Sequence, residues 1–313
     1  MAMLTGGSAQ DESGRLSMAN GNGMGNLPNN PGQGPAGAFT TKPASAIIAP
    51  VPAGGIVPRQ PAGPALSPYF SPRELALDEA RLIWSEKQRE AGTKGFQWGS
   101  AIWQSGIILA MAEAYRLGDQ PETRAQLKGP YLKDWWESVK GLQQWDDTDS
   151  WLANYVGHPM QGAVTGYIQI QNDPRGRLQE FGKNKGYWKS RTKAFLWAAA
   201  YSTFYELSPI GDAGIGNVGH PVKDPGKKGY VDLVITPTLG LALIVIEDML
   251  DMKVVWPIEK RTNNKMVKRL LRSFLGMHRS FTNLLRFKTP WYIDSRGPMN
   301  QPAIRYSQLP AAY

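Results

Sequence analysis

Four polar side chains share one face of a predicted helix in an uncharged segment, residues 151–167, WLANYVGHPMQGAVTGY. They are Asn154, His158, Gln161 and Thr165. Their spacing of i, i+4, i+7 and i+11 places them on a single helix face. A buried amide or imidazole without a partner costs about 1–3 kcal/mol, so other polar groups should meet this face. His158 could therefore hold a structural hydrogen bond, or serve as a ligand or a proton-transfer group.

Carboxyl groups that could partner this histidine stand on both sides of the polar face. An acidic stretch precedes it, where acids also stabilise the positive end of a helix by about 1 kcal/mol. Glu206 and Asp232 follow as isolated acids beside apolar sequence. Because isolated buried polar groups need partners, we predict that both meet His158. The predicted catalytic candidates are His158, Glu206 and Asp232, and the predicted polar cluster comprises Asp147, Asp149, Asn154, Gln161 and Thr165.

The segments that carry these residues have helical patterns. Ser71 and Pro72 are typical of a helix start and predict a helix over 72–91. Apolar stretches predict further helices over 96–117, 150–171, 189–206 and 233–251. Two short polar helices are split at Gly129 and Pro130. No alternating strand pattern is sustained, so the predicted class is all-α, a compact bundle of apolar helices.

Composition divides the chain of 313 residues into three parts. Residues 1–68 contain 12 glycines and 10 prolines, a composition that predicts a disordered segment. Residues 69–252 form the predicted bundle core. Residues 253–313 form a basic helix and tail, with 12 Lys or Arg against two acids. The first residues lack the apolar run of a secretory signal, and no stretch reaches the length of an uninterrupted apolar span.

Between residues 145 and 251 the motifs resemble those of a known group of proteins. The pattern is Trp145-x-Asp147-x-Asp149, then Asn154, then His158-Pro159-x-x-Gly162, followed by Glu206 at the end of an apolar helix, and then DLVITPTLG from Asp232 to Gly240. This order is similar to that of an uncharacterised family of bacterial cell-envelope proteins, and in layout to VanZ-like proteins. The resemblance implies that the protein is located in the cell envelope and that these residues form a functional site. It does not imply a particular reaction.

Several common chemistries are absent from the sequence. The chain has no cysteine, which excludes disulfides, thiolate metal sites and cysteine nucleophiles. It also lacks a nucleophile elbow, a phosphate-binding loop and an HExxH zinc motif. His158, Glu206 and Asp232 are suitable ligand types for a divalent cation, but residues so far apart in sequence do not predict a metal site. We therefore predict no metal and no cofactor.

The basic end of the chain predicts an amphipathic helix over 265–288. Its apolar stripe predicts either membrane contact or packing on the core, with the basic face exposed to an anionic surface or to solvent. Trp291 and Tyr292 follow, residue types favoured at the headgroup boundary. The expected partner is an anionic membrane surface, with protein partners possible and nucleic acid disfavoured. The predicted membrane-surface residues are Lys268, Arg269, Arg272, Arg279, Arg286 and Trp291.

Two functions from different classes fit these features. In the first, the protein is a membrane-associated helical component of the cell envelope, with a structural or interaction role and a buried polar cluster that locks helix packing. In the second, it is an envelope enzyme that acts on a lipid or lipid-linked substrate, with His158 as acid or base and Glu206 or Asp232 as its partner. A polar cluster that opens onto a cavity favours the enzyme, and a sealed cluster favours the structural role.

Overall fold

The structure is a computed structural model that describes residues 72–147, 149–223, 229–297, 299 and 303–309. The segment predicted to be disordered, residues 1–68, lies outside the described residues. Within the described part of the chain the predicted all-α fold is confirmed, since the elements are helices and no strand is formed. In chain order they are α1 Pro72–Thr93, α2 Trp98–Asp119, α3 Pro121–Gln126, α4 Tyr131–Lys140, α5 His158–Asn172, α6 Lys185–Leu207, α7 Val231–Leu250, α8 Trp256–Arg261, α9 Lys265–Phe274 and α10 Met277–Leu285.

Helix α5 is the centre of the bundle. It packs against α6 and α7, and its other contacts are with α2 and α10. Gly162 lies where α5 crosses α7, and a Cβ atom there would stand 1.9 Å from the carbonyl oxygen of Thr236. The facing Gly240 is equally constrained, because its Cβ would stand 2.7 Å from the carbonyl carbon of Gly162. Glycine at both positions lets the two backbones touch.

Two wide turns of π-helix precede prolines in the bundle. One turn, Ala153–Gly157, leads into Pro159, and the other, Asp251–Val255, leads into Pro257. In each case the amide of the residue before proline donates to the carbonyl oxygen five residues earlier. Proline has no N–H to donate, so the inserted residue absorbs the interruption without ending the helix. The first of these turns ends directly before His158, the first residue of α5.

The predicted helix over 265–288 was wrong in two respects. The first is continuity, since α9 ends at Phe274 and α10 starts at Met277 after a break at Leu275 and Gly276. The second is orientation. Part of the apolar stripe faces outward, with Phe274 68% exposed, whereas Phe281 and Leu285 pack against the core. Four of the six residues predicted at a membrane surface, however, direct their side chains into the protein: Lys268, Arg272, Arg279 and Arg286.

Acids from other parts of the chain hold most of these basic side chains inside the molecule. Arg272 forms two hydrogen bonds with Glu259 of α8, at 2.5 and 3.0 Å. Arg279 pairs with Asp251, and Arg286 pairs with Asp294. Lys268 is buried as well. Of the basic residues predicted to bind an anionic surface, Arg269 is exposed, and its guanidinium lies 4.9 Å from the centre of the Trp291 ring.

Candidate functional site

Three helix ends bring the candidate catalytic residues together. His158 is the first residue of α5, Glu206 lies in the last turn of α6, and Asp232 lies in the first turn of α7. The Nε2 atom of His158 lies 3.4 Å from an Oδ atom of Asp232. One ligand atom from each of the three residues lies within 4.8 Å of the others. The predicted meeting of these side chains is confirmed, whereas their chemical role stays a prediction.

A backbone contact places Asp147 beside Asp232. The amides of Tyr230 and Val231 donate to the carbonyl oxygens of Gln144 and Trp145, at 2.9 and 3.0 Å. This short bridge runs the segment before α5 alongside the start of α7. Asp232 is the next residue along α7, so Asp147 is held within hydrogen-bonding reach of it.

The two aspartates share one proton. Burial, together with the hydrogen bond to Asp147, raises the pKa of Asp232 to about 10. Burial also acts to raise the pKa of Asp147, but hydrogen bonds from Asp232, Asn154 and the amide of Asp149 hold it below its ordinary value. Asn154 donates to Asp147 over 2.7 Å, and the Asp149 amide donates over 3.0 Å. At neutral pH, Asp147 is therefore ionised and Asp232 is protonated.

His158 is a neutral imidazole in this environment. Burial lowers its pKa, and the opposing attraction of Asp212 and Asp147 is the weaker influence. Its Nε2 faces Asp232, while its Nδ1 is buried with no hydrogen-bond partner among the described residues. The edge of the ring meets Tyr205, with ring centres 6.4 Å apart. A neutral imidazole with one unoccupied nitrogen can accept a proton.

The rest of the predicted polar face separates from the cluster. Gln161 donates to the hydroxyl of Tyr201 over 3.4 Å. Thr165 donates to the carbonyl oxygen of Gln161 over 3.0 Å, a bond within its own helix. Asp149 is exposed and contributes its backbone amide to Asp147. Helical spacing therefore predicted the shared face, but one turn along α5 is enough to carry a side chain to different neighbours.

The cluster opens onto a groove through His158. The groove has a volume of about 600 Å³, which is within the range of small-molecule sites. It lies between α2, α5, α6 and α10, and its walls are mainly apolar. Asp147, Asp232 and Glu206 are buried behind the histidine. The polar cluster is therefore open to a cavity and is not sealed inside the bundle.

A second histidine lines the same groove and is not evident from sequence patterns. His278 of α10 is buried, and its Nδ1 lies 2.7 Å from Glu247 of α7. The same carboxylate accepts the backbone amides of His278 and Arg279, at 3.0 and 3.4 Å. Because Glu247 accepts all three, Nδ1 of His278 carries a proton, and Nε2 is buried without a hydrogen-bond partner among the described residues. The one available sequence signal was Glu247, an acid within the apolar run LALIVIEDML.

Another buried acid lies on α2. Burial, followed by repulsion from Asp212, raises the pKa of Glu113 to about 7, while Arg116 acts in the opposite direction. The guanidinium of Arg116 lies 2.6 Å from the carboxylate of Asp212, which belongs to the glycine-rich loop after α6. That loop therefore contributes a charge beside the site, although its sequence predicts only a long connection.

Among the residues that the structure describes, two groups of side chains have ligand types for a metal ion. His158, Glu206 and Asp232 form the first, and a cation there would have to displace the proton that Asp232 holds. The second group contains His220, whose Nδ1 accepts the amides of Val222 and Lys223, each at 3.1 Å. Its Nε2 must then carry the proton and offers no lone pair. This second group is better described as an ion-pair network than as a metal site.

Comparisons with known proteins do not assign the chain to a family. No family model, no curated protein and no solved structure matches the chain.

Proposed function

We propose that the protein is a membrane-associated component of the bacterial cell envelope, with lipid covering its apolar outer surface. The observation that carries this proposal is an inverted distribution of side chains: large apolar groups face outward on several helices, and charged groups face inward. Exposed examples are Ile102 and Met111 on α2, Leu196 and Phe204 on α6, and Leu239 and Ile246 on α7. Monomeric proteins in water rarely expose apolar surface on this scale.

The interior supports the same proposal because it is rich in paired charges. Arg191 lies 2.7 Å from Asp248, and both side chains are buried. Glu259 is buried between Arg272 and Arg296. Charged residues are seldom fully buried unless paired, and these pairs lie in the interior beside its apolar clusters. One continuous helical stretch, Val231–Arg261, is also long and apolar enough to cross a membrane, by length and composition alone.

Attachment in this proposal depends on apolar contact more than on headgroup charge. Most of the basic side chains expected at an anionic surface are already paired with acids inside the protein. The proposed location in the cell envelope is based on the motif resemblance around His158 and Asp232. Asp147, Asn154 and Asp232 then have a structural task, which is to join the ends of α5 and α7 through hydrogen bonds.

Flotation of the purified full-length protein with liposomes tests the proposal. We expect binding to neutral phosphatidylcholine vesicles as well as to anionic ones, and retention in high salt, because salt screens charges but not apolar contact. Ile102→Glu should weaken binding, whereas Leu82→Glu should not, since Leu82 is similarly exposed but lies on the polar helix α1. A protein that stays in solution as a defined oligomer and does not float would show that a second copy covers this surface, and would overturn the proposal.

A second candidate is an enzyme acting on a lipid or lipid-linked substrate, and the apolar groove against His158 favours it. The neutral imidazole would accept a proton from a substrate hydroxyl or water, and Asp232 or Glu206 would orient the ring. The test compares lipid extracts incubated with wild type, His158→Gln and the control His220→Gln, using mass spectrometry. A product that requires His158 but not His220 is expected. Identical product profiles for all three proteins would overturn the enzyme.

A further inference from the structure

The groove beside His158 holds two imidazoles with the same unusual arrangement. Each has one ring nitrogen directed to a carboxyl group, His158 to Asp232 and His278 to Glu247. In each the other nitrogen is buried without a hydrogen-bond partner in the described part of the chain. Buried polar atoms normally find partners, so two unsatisfied nitrogens beside one cavity call for an explanation. A bound molecule would supply one.

The residues that line the groove indicate that the larger part of this molecule is apolar. Most of the lining is hydrocarbon or thioether, and the exposed mouth is formed partly by Met111, Met160 and Met277. Methionine side chains adapt to flexible apolar partners because they are unbranched and polarizable. Since the outer surface in the proposed function is covered by lipid, a hydrocarbon chain could enter from that side without passing through water.

The histidines and the charged groups around them indicate the chemistry of the ligand's polar head group. Nδ1 of His278 pairs with Glu247, so Nε2 is the atom left for a ligand, and a hydroxyl group, which both donates and accepts, is a suitable partner. Glu247 lies behind the His278 ring, and the ionised Asp147 lies behind His158, next to the protonated Asp232. The nearby Arg116 is neutralised by Asp212. An anionic head would therefore meet net repulsion, and an ammonium head would lose its hydration against apolar walls.

We propose that the groove binds a single-chain amphiphile with an uncharged hydroxyl head, whose chain lies along the apolar walls and whose hydroxyl groups form hydrogen bonds with His278 and His158. This inference names the ligand class of the second candidate function and rests on the membrane association proposed above. It involves no covalent step and can be tested by binding alone.

Two glycines provide a matched pair of variants for the test. Gly157 lines the groove, and its Cβ position has only the carbonyl oxygen of Leu152 nearby, at 3.8 Å. Gly106 lines a different apolar groove of about 390 Å³, and nothing lies within 4 Å of its Cβ position. A Cβ atom fits at both positions without a backbone clash. Gly157→Phe fills the proposed site, and Gly106→Phe adds the same ring to the other groove.

The experiment uses full-length protein in phosphatidylcholine nanodiscs and a diazirine-labelled monoacylglycerol as the probe. After irradiation, mass spectrometry locates the labelled peptides. We expect labelling of α5 and α10, a loss of about tenfold or more in Gly157→Phe, and wild-type labelling in Gly106→Phe. His278→Phe should also reduce labelling, and Glu247 keeps its two backbone donors in that variant. Probes with the same chain but a carboxylate or a quaternary ammonium head should label these peptides at least about tenfold less.

Each other outcome overturns the inference. Equal labelling by the three heads would show that the groove recognises only hydrocarbon, and labelling that survives Gly157→Phe would place the molecule elsewhere. Liposome flotation of the same variants separates this result from the membrane proposal. A protein that floats but is not labelled refutes the groove ligand alone, whereas one that does not float refutes the membrane association on which it rests.

Discussion

Asp147 and Asp232 share one proton, and this predicts opposite effects for the same substitution at the two positions. Asp232→Asn should stabilise the protein, and Asp147→Asn should destabilise it. Asp232 keeps its proton in the folded state up to about pH 10. Its ordinary pKa is 3.8, so the unfolded chain releases that proton at neutral pH. Asp232→Asn has the size and donor capacity of the protonated acid, and it has no proton to release on unfolding. Its amide can donate to Asp147 as the acid does.

The size of the effect follows from these two pKa values. A carboxyl group with a raised folded-state pKa lowers stability as pH rises, because the unfolded state gains by ionising. Neutral pH lies about 3 units above the ordinary pKa, and each unit corresponds to about 1.4 kcal/mol, so Asp232→Asn should stabilise by up to about 4 kcal/mol at pH 7. The gain should shrink toward zero near pH 4 and grow until about pH 10. Asp147→Asn should instead destabilise by about 1.5–3 kcal/mol, since it removes an ionised acceptor.

Chemical denaturation followed by far-ultraviolet circular dichroism, repeated between pH 5 and pH 9, measures both effects. The informative quantity is the difference in unfolding free energy between wild type and Asp232→Asn at each pH. If that difference were independent of pH, Asp232 would not hold a proton that the unfolded chain releases. If Asp147→Asn were the stabilising member of the pair, the proton would belong to the other carboxyl group. Either result would refute the assignment.

Further substitutions test the packing of the bundle. Gly162→Ala should destabilise by about 3 kcal/mol, because its Cβ would stand 1.9 Å from a carbonyl oxygen of α7, whereas the control Gly106→Ala should stabilise by about 0.5–1 kcal/mol. Thermal melting compares the two, and an unchanged midpoint for Gly162→Ala would mean that the helices are not in contact there. Glu259→Gln should cost about 3–5 kcal/mol because the guanidinium of Arg272 loses its carboxylate partner and that of Arg296 keeps only Asp251. The control Glu90→Gln, at a surface pair, should change the denaturation midpoint little, and equal shifts for the two would exclude a buried network.

The helices and the composition of the candidate site followed from local patterns. Pro72 at a first helical position and unbroken apolar runs are properties of neighbouring residues, so they predicted most of the helices within a few positions. His158, Glu206 and Asp232 stood out because each is an isolated polar group beside apolar sequence. The need of buried polar groups for partners then predicted that they meet. The order of these residues along the chain contained no further information about their protonation.

The orientation of the C-terminal helices depended on contacts with distant parts of the chain. An amphipathic pattern defines two faces but does not say which one is buried, and Glu259, Asp251 and Asp294 turned the basic face of α9 and α10 inward. His278 joined the groove for the same reason, through an acid 31 positions earlier in the sequence. The proton shared by Asp147 and Asp232 requires two carboxyl groups to touch out of reach of water. Distances across space decide such couplings, and a local sequence pattern does not contain them.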